Sequence, residues 1–175
     1  KVLEHLVDTV LYLEGERFIT LRLLRVTKNR YGPVDEVGVF EMNDKGMFGV
    51  DNPSKLFLGE EDKKGPDVAP GCVITCTMEG TRPILAEIQA LVVPSKLAMP
   101  RRVATGVDYN RLQMILAIIQ KRLGLPLYEC DVYINVAGGL KINEPSSDLA
   151  VAMAIISSFK NKPLSRRMCA VGELG

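Results

Sequence analysis

Residues 136–156 read VAGGLKINEPSSDLAVAMAII, and the parsing of this stretch decides the fold. It is the end of a strand, a loop softened by Gly138 and Gly139, and a helix whose first turn carries Pro145, Ser146, Ser147 and Asp148. The helix is expected over roughly Ser146 to Phe159, with Leu149, Ala152, Met153 and Ile156 on one face. A helix entry rich in small hydroxyl residues points spare backbone N–H donors outward, so it can hold an anion or present a nucleophile. The same residues also serve as ordinary caps. The strand feeding this entry is Asp131 to Val136. Asn161-Lys162-Pro163 stops the helix, and Met168 to Val171 is expected to return as a strand.

Upstream, Asp108 is placed as the N-cap of a helix with Leu112, Ile115, Leu116, Ile119 and Leu123 at helical spacing, closed by Gly124 and Pro126. Before it, Cys72 to Met78 and Ile84 to Val93 form a hairpin around Glu79-Gly80-Thr81-Arg82-Pro83, followed by a loop from Pro94 to Thr105. The N-terminal part reads as two more hairpins. Leu6 to Leu13 pairs with Phe18 to Val26, and Val37 to Met42 pairs with Met47 to Val50 across Asn43-Asp44-Lys45-Gly46. Thr27 to Pro33 is a polar loop, and Asn52-Pro53-Ser54 is able to start a helical turn. Gly59 to Gly71, GEEDKKGPDVAPG, is charged and punctuated by Gly and Pro, and a domain boundary is expected there. Four short strands make a poor core alone, so the N-terminal strands are expected to complete a sheet elsewhere. The whole describes an α+β protein, a mixed sheet with helices on one face.

The composition supports a folded chain. Of 175 residues, 47% are hydrophobic and 25% charged, which excludes a disordered polymer. A formal net charge of +1 gives no global argument for nucleic-acid binding, so any basic surface is local. The four cysteines, Cys72, Cys76, Cys130 and Cys169, form no Cys-x-x-Cys pair, and His5 is the single histidine. A zinc site is therefore not expected, and the thiols read as reduced. No apolar run approaches the ~18 residues of a membrane span.

No phosphate-binding GxxxxGK[ST] loop is present. Lys28 and Arg30, beside Tyr31 and Gly32, are two loop cations able to reach phosphate oxygens of a nucleotide or of DNA. Arg101 and Arg102, with Lys96 and Arg111, form a second candidate DNA-facing set. Lys121 with Arg122 and Arg166 with Arg167 are others, all scattered along the chain. His5 is read as strand packing, and Cys72 and Cys76 as core.

The order of these pieces carries a resemblance. Lys28-Asn29-Arg30-Tyr31-Gly32 resembles the Lys-Asn-Arg-Phe-Gly motif of the RadA (Sms) family of bacterial-type DNA repair proteins, with Tyr31 where Phe is usual. LEHLVDTVLYLEG (3–15), TMEGTRPILAEIQALV (77–92), AGGLKINEPSSDLAVAMAI (137–155) and the closing VGELG (171–175) are similar to the same family, in the same order. The resemblance implies that residues 1–60 are the last strands of a RecA-like ATPase core, and residues 66–175 a Lon-protease-like domain without its C-terminal end. It also implies a hexameric ring that uses ATP and magnesium, bound outside this chain, to drive branch migration in homologous recombination. Its partners would be single-stranded and branched DNA and a recombinase of the RecA type, with no membrane. The setting would be the bacterial cytoplasm, or a plastid or mitochondrion in a plant. The motif residues Lys28, Asn29, Arg30, Tyr31 and Gly32 carry over as nucleotide- or DNA-binding.

The same resemblance reinterprets the opening stretch. In active Lon proteases the corresponding helix begins Gly-Pro-Ser-Ala-Gly, the serine is the nucleophile, and a downstream lysine is its base. Ser146 occupies that serine position here, but Glu144 and Asp148 replace the flanking glycines. They bring negative charge to a place where an acyl oxyanion needs donors. The expectation is a proteolytically inactive domain for assembly and DNA contact, the alternative being a Lon-type serine–lysine peptidase using Ser146.

Overall fold

The computed structural model describes residues 3–15, 20–52, 54, 58 and 69–175. Pro53 of the expected turn at Asn52-Pro53-Ser54 and most of the charged linker lie outside the described residues. Contacts divide the chain into two compact units, Lys1–Pro53 with Met78–Ile84, and Ser54–Thr77 with Leu85–Gly175.

In the first unit, β1 (Thr9–Glu14), β2 (Leu21–Asn29), β3 (Val37–Asn43) and β4 (Gly46–Gly49) form an antiparallel sheet in that order. Valine, leucine and aromatic side chains suit the pleat. The β3–β4 turn is held by Asn43, whose side-chain oxygen accepts from the Lys45 N–H at 2.9 Å. Three expectations are corrected here. The first strand starts at Thr9 rather than Leu6, because Leu3–His5 form a 3-10 turn. His5 is accordingly exposed rather than packed on a strand. Lys28 and Asn29 belong to the end of β2 rather than to a loop.

This sheet buries little. Leu21 and Val39 are its buried aliphatics, while Leu11, Tyr12 and Leu13 of β1 are half or more exposed. An ion-pair network compensates in part. Arg25 of β2 meets Glu79 at 2.6 Å and Glu14 at 3.0 Å, and Glu79 is nearly inaccessible. Desolvation works against the Arg25 charge, but the hydrogen bonds to Glu14 and Glu79 outweigh it and hold the guanidinium above its ordinary pKa. Next to Glu79, Gly80 adopts φ +63, and a Cβ there would lie 1.8 Å from the Asp35 carbonyl oxygen. That carbonyl accepts the Thr81 N–H at 2.9 Å, so only glycine fits.

The second sheet holds β5 (Cys72–Glu79), β6 (Arg82–Pro94), β7 (Arg102–Thr105) and β8 (Cys130–Val136) in the order β5-β6-β8-β7, all within the second unit except the Met78–Ile84 end of the β5–β6 hairpin. β8 is antiparallel to β6 and parallel to β7. The sheet is thus mixed, and β7–α1–β8 is a parallel crossover through α1 (Tyr109–Leu123). Asp108 caps α1 by accepting the Arg111 N–H at 2.8 Å, and Gly124 ends it in the left-handed conformation. Leu112, Ile115, Leu116 and Ile119 are buried, whereas Leu123 is exposed. α2 (Asp148–Phe159) follows a 3-10 turn at Pro145–Ser147. One sheet face, carrying Ile84, Ala86 and Ile88 of β6 with Val132, Ile134 and Val136 of β8, is fully buried. Each isoleucine or valine so buried contributes about 1.5–3 kcal/mol relative to exposure. The α+β class read from sequence is what the structure has.

Several local readings change. Arg102–Thr105 is a strand, not loop, because β8 offers it a parallel edge. Met168 to Val171 makes a single parallel bridge, Ile74 with Cys169, instead of a strand. The buried residues of α2 are Asp148, Ala150, Val151, Ala152, Ala154, Ile155 and Ser157. Of the residues expected on one face, Ala152 is buried and Leu149, Met153 and Ile156 are half-buried. Cys72 and Cys76 are also half-buried, on the opposite sheet face from Val73 and Thr75. The alternation of β5 reserves the core side for the latter pair.

The α1 approach depends on Gly106, at φ +82, where a Cβ would meet the Leu140 carbonyl oxygen at 2.5 Å and Val136 Cβ at 2.7 Å. Gly106→Ala is expected to lower stability by about 2 kcal/mol or more, read from the denaturant midpoint of unfolding.

Candidate functional site

Two places carry the candidate chemistry, one in each unit. In the first, β2 ends in Lys28-Asn29 and the chain turns through Arg30-Tyr31-Gly32. Lys28 turns back on the N-terminal segment, donating from Nζ to the carbonyl oxygens of Glu4 and Val7, both at 2.7 Å. Two of its three donors are therefore engaged in holding the Leu3–His5 turn. Asn29 organises the bend. Its side-chain oxygen accepts the Tyr31 N–H at 3.2 Å, and its side-chain nitrogen donates to the Pro33 carbonyl at 3.3 Å. A Cβ at Gly32 would come within 2.7 Å of that nitrogen, so the glycine keeps the Asn29 amide in place. Arg30 pairs with Asp8 at 3.2 Å, its side chain 70% exposed. Tyr31 is 81% exposed. Of the five motif residues, Arg30 and Tyr31 face outward, while Lys28, Asn29 and Gly32 shape the turn.

In the second unit the candidates do not converge. Lys96 and Arg101 are exposed. Arg102 turns its guanidinium onto backbone carbonyls, donating to Leu127 at 2.7 Å, to Arg101 at 2.9 Å and to Cys130. It closes the chain reversal before β8. Arg101 contributes its backbone N–H to Asp131 at 2.7 Å. That hydrogen bond, followed by one from the Ser95 hydroxyl, holds the Asp131 carboxyl below its ordinary pKa. Arg111 is bound to Asp148 by a two-pronged ion pair, Nε to Oδ1 at 2.8 Å and Nη2 to Oδ2, and reaches Glu173 at 3.5 Å. Hydrogen bonding to Asp148 holds the Arg111 guanidinium above its ordinary pKa.

The α2 entry is closed rather than open. Ser146 donates its hydroxyl to a Glu144 carboxylate oxygen at 3.2 Å, and the Ser147 hydroxyl donates to the Glu144 carbonyl at 2.9 Å. The Ser147, Asp148 and Leu149 N–H groups donate to the carbonyls of Glu144, Pro145 and Gly172 respectively. Neither hydroxyl caps the helix by bonding its backbone N–H groups. The donors that an anion or an oxyanion would need are thus bonded to the chain's own carbonyls. Asp148 lies buried at the helix start and also accepts the Leu174 N–H at 3.1 Å. Sequence reasoning singled out Asp148 as a foreign charge and Arg111 as a surface cation without pairing them. Their separation of 37 residues hides the contact, although a buried carboxylate always calls for a partner.

Among the described residues, no three His, Cys, Asp or Glu side chains come together as a metal site, and no helix is long and apolar enough to cross a membrane. A groove of about 220 Å³ is lined by Met153, Ile156, Ser157, Lys160, Lys162 and Leu164, none of which is a candidate site residue.

The chain is similar over all 175 residues to the DNA repair proteins RadA of Synechocystis sp. (52% identical), Streptococcus pneumoniae (53%) and Bacillus subtilis (51%). It covers 34%, 41% and 37% of these relatives, and so spans about a third to two fifths of their length. No family model matches the chain.

Two outcomes follow from this geometry. Arg111→Ala leaves a buried carboxylate unpaired, and is expected to lower the denaturant midpoint more than the apolar double replacement Arg111→Met with Asp148→Leu. Asp131→Asn is expected to lose stability in full above about pH 3.8, the loss vanishing as pH falls through the depressed wild-type pKa. Thermal unfolding across pH 2–6 reads the difference.

Proposed function

Because this chain belongs to the RadA family of DNA repair proteins, we propose that it is a segment of an ATP-using repair protein that acts on DNA. In this reading the parent protein is a hexameric ring that promotes branch migration during homologous recombination, alongside a recombinase of the RecA type. Residues 1–60 are the last strands of its RecA-like core, and residues 66–175 a Lon-protease-like domain retained for assembly and DNA contact. The setting we propose is the bacterial cytoplasm. The relatives named are bacterial, and nothing in them supports a plastid or mitochondrion.

The observation that carries this reading is identity above one half with RadA proteins along the entire chain. The Arg30-Tyr31 turn supports it locally. Among the described residues the Arg30 side chain is held by an exposed ion pair with Asp8, an interaction worth about 0–1 kcal/mol, and is able to exchange that partner for a phosphate. Tyr31 beside it offers an aromatic face to a base. Lys28, with two donors already on carbonyls, fits a phosphate contact less well and fits a role in holding the motif's shape. ATP and magnesium supply phosphoryl-transfer chemistry to the parent protein, and the part of this chain in it is to offer Arg30 at the edge of the bound nucleotide or DNA.

A peptidase using Ser146 has no observation in its favour. Its hydroxyl donates to a Glu144 carboxylate oxygen, and the Ser147, Asp148 and Leu149 N–H groups at the helix start are bonded to carbonyls.

Lys28→Ala risks unravelling the Leu3–His5 turn, so Arg30→Ala is the cleaner test. In the full-length protein it is expected to lower DNA-stimulated ATP turnover and branch migration by about tenfold or more, with the thermal midpoint unchanged. Unchanged rates for both would overturn the reading. Ser146→Ala is expected to leave both rates intact, and the wild type to resist a fluorophosphonate probe. Labelling that disappears in Ser146→Ala would establish the peptidase instead.

A further inference from the structure

Along α2 the side chains of Met153, Ile156, Ser157 and Lys160 fall at i, i+3, i+4 and i+7, one stripe of the helix surface. The helix then ends in a tight reversal. The Lys162 N–H donates to the Ser157 carbonyl at 3.0 Å and the Asn161 N–H to the Ser158 carbonyl at 3.1 Å, with Asn161 left-handed at φ +49. Pro163 blocks any further helix, and Leu164 comes back beside the stripe. Together these residues line the groove of about 220 Å³, room for one side chain of leucine or phenylalanine size.

The groove has an apolar body and a basic rim. Met153, Ile156 and Leu164 are half-buried, while Lys160 and Lys162 are exposed. Neither lysine is ion-paired among the described residues. Ser157, the buried hydroxyl of the lining, is already satisfied. It donates to the Lys162 carbonyl at 2.6 Å and accepts the Gly71 N–H at 2.9 Å. Residues 149–172 carry Lys160, Lys162, Arg166 and Arg167 and no aspartate or glutamate, in a chain whose net charge is only +1. The charge on this segment is of one sign, which favours an anionic partner.

The apolar body decides which kind of anion fits. A nucleic-acid base pushed into the groove would bury edge N–H and carbonyl groups that the Ser157 hydroxyl, engaged in both directions, cannot serve. An aliphatic or phenyl side chain leaves nothing unpaired there and gains by leaving water. We propose that this groove docks an acidic peptide segment of a partner protein. One leucine- or phenylalanine-sized side chain sits among Met153, Ile156 and Leu164, and flanking carboxylates pair with Lys160 and Lys162. The site shares no residue with the Arg30 turn and does not depend on what that turn binds.

The test titrates the full-length protein into a fluorescein-labelled ten-residue peptide, one phenylalanine set between pairs of aspartate and glutamate, and reads anisotropy. Saturable binding is expected, weakened about tenfold or more when the phenylalanine is replaced by serine. Lys160→Glu with Lys162→Glu changes only exposed positions, so the fold is kept. It is expected to weaken binding about tenfold, the loss shrinking as salt rises. Met153→Gln, with its thermal midpoint measured alongside, is expected to weaken the phenylalanine peptide and leave the serine peptide unchanged. No saturation, equal affinity for the two peptides, or unchanged affinity in the double lysine variant would each overturn the proposal. So would an oligonucleotide whose binding falls with Met153→Gln by the same factor, which would make the groove a base pocket. A change of oligomeric mass in the double lysine variant without peptide would assign the groove to a second copy of the chain and overturn it too.

Discussion

Asp148 begins α2 with a carboxylate that solvent scarcely reaches, its side chain 2% exposed. A charge in that position must be matched or the helix cannot dock. Arg111, in the first turn of α1, matches it through Nε and Nη2 on one edge of its guanidinium, and the Leu174 N–H takes a share. The pair thereby fixes the two helix starts against each other. It also brings the segment after residue 168 across the α2 entry, where Gly172 exchanges hydrogen bonds with Ser146 and Leu149. Much of the second unit's local order follows from satisfying this one carboxylate.

The same constraint explains why the α2 entry is chemically quiet. A helix start is a ready anion site only while its N–H groups are free. Here Ser147, Asp148 and Leu149 donate to Glu144, Pro145 and Gly172, and the Ser146 hydroxyl donates to Glu144. The positive end of the helix faces the chain's own carboxylate and carbonyls. The hydroxyl residues that drew attention in the sequence thus shape the entry turn, and the strongest electrostatic contact there belongs to a residue pair 37 positions apart.

The first unit has the opposite character. Its sheet holds its register through turns and through Arg25 between Glu14 and Glu79 more than through an apolar core, since Leu21 and Val39 are its buried aliphatics. Its outward features, Arg30 and Tyr31, ride on a turn whose shape is kept by Lys28, Asn29 and Gly32. Within one five-residue motif, the residues that display chemistry are distinct from those that build the platform.

What the sequence determined by itself was whatever local physics dictates. The 3.6-residue spacing of Leu112, Ile115, Leu116 and Ile119, the Asp108 cap and the Gly124 stop define α1 without help from the rest of the chain, as Asn43 defines the β3–β4 turn. The motif order identified the family. What only the tertiary structure decided was every feature with a distant partner. β7 is a strand because β8 lies beside it, and among the described residues the segment around Cys169 makes a single bridge, with Ile74. Arg102 and Arg111 looked like surface cations, yet one serves backbone carbonyls and the other a buried carboxylate. The physical reason is that propensity and periodicity act over a few residues. The partner of a charge or of a strand edge is chosen by packing, where an unmatched buried group costs more than any local preference can offset.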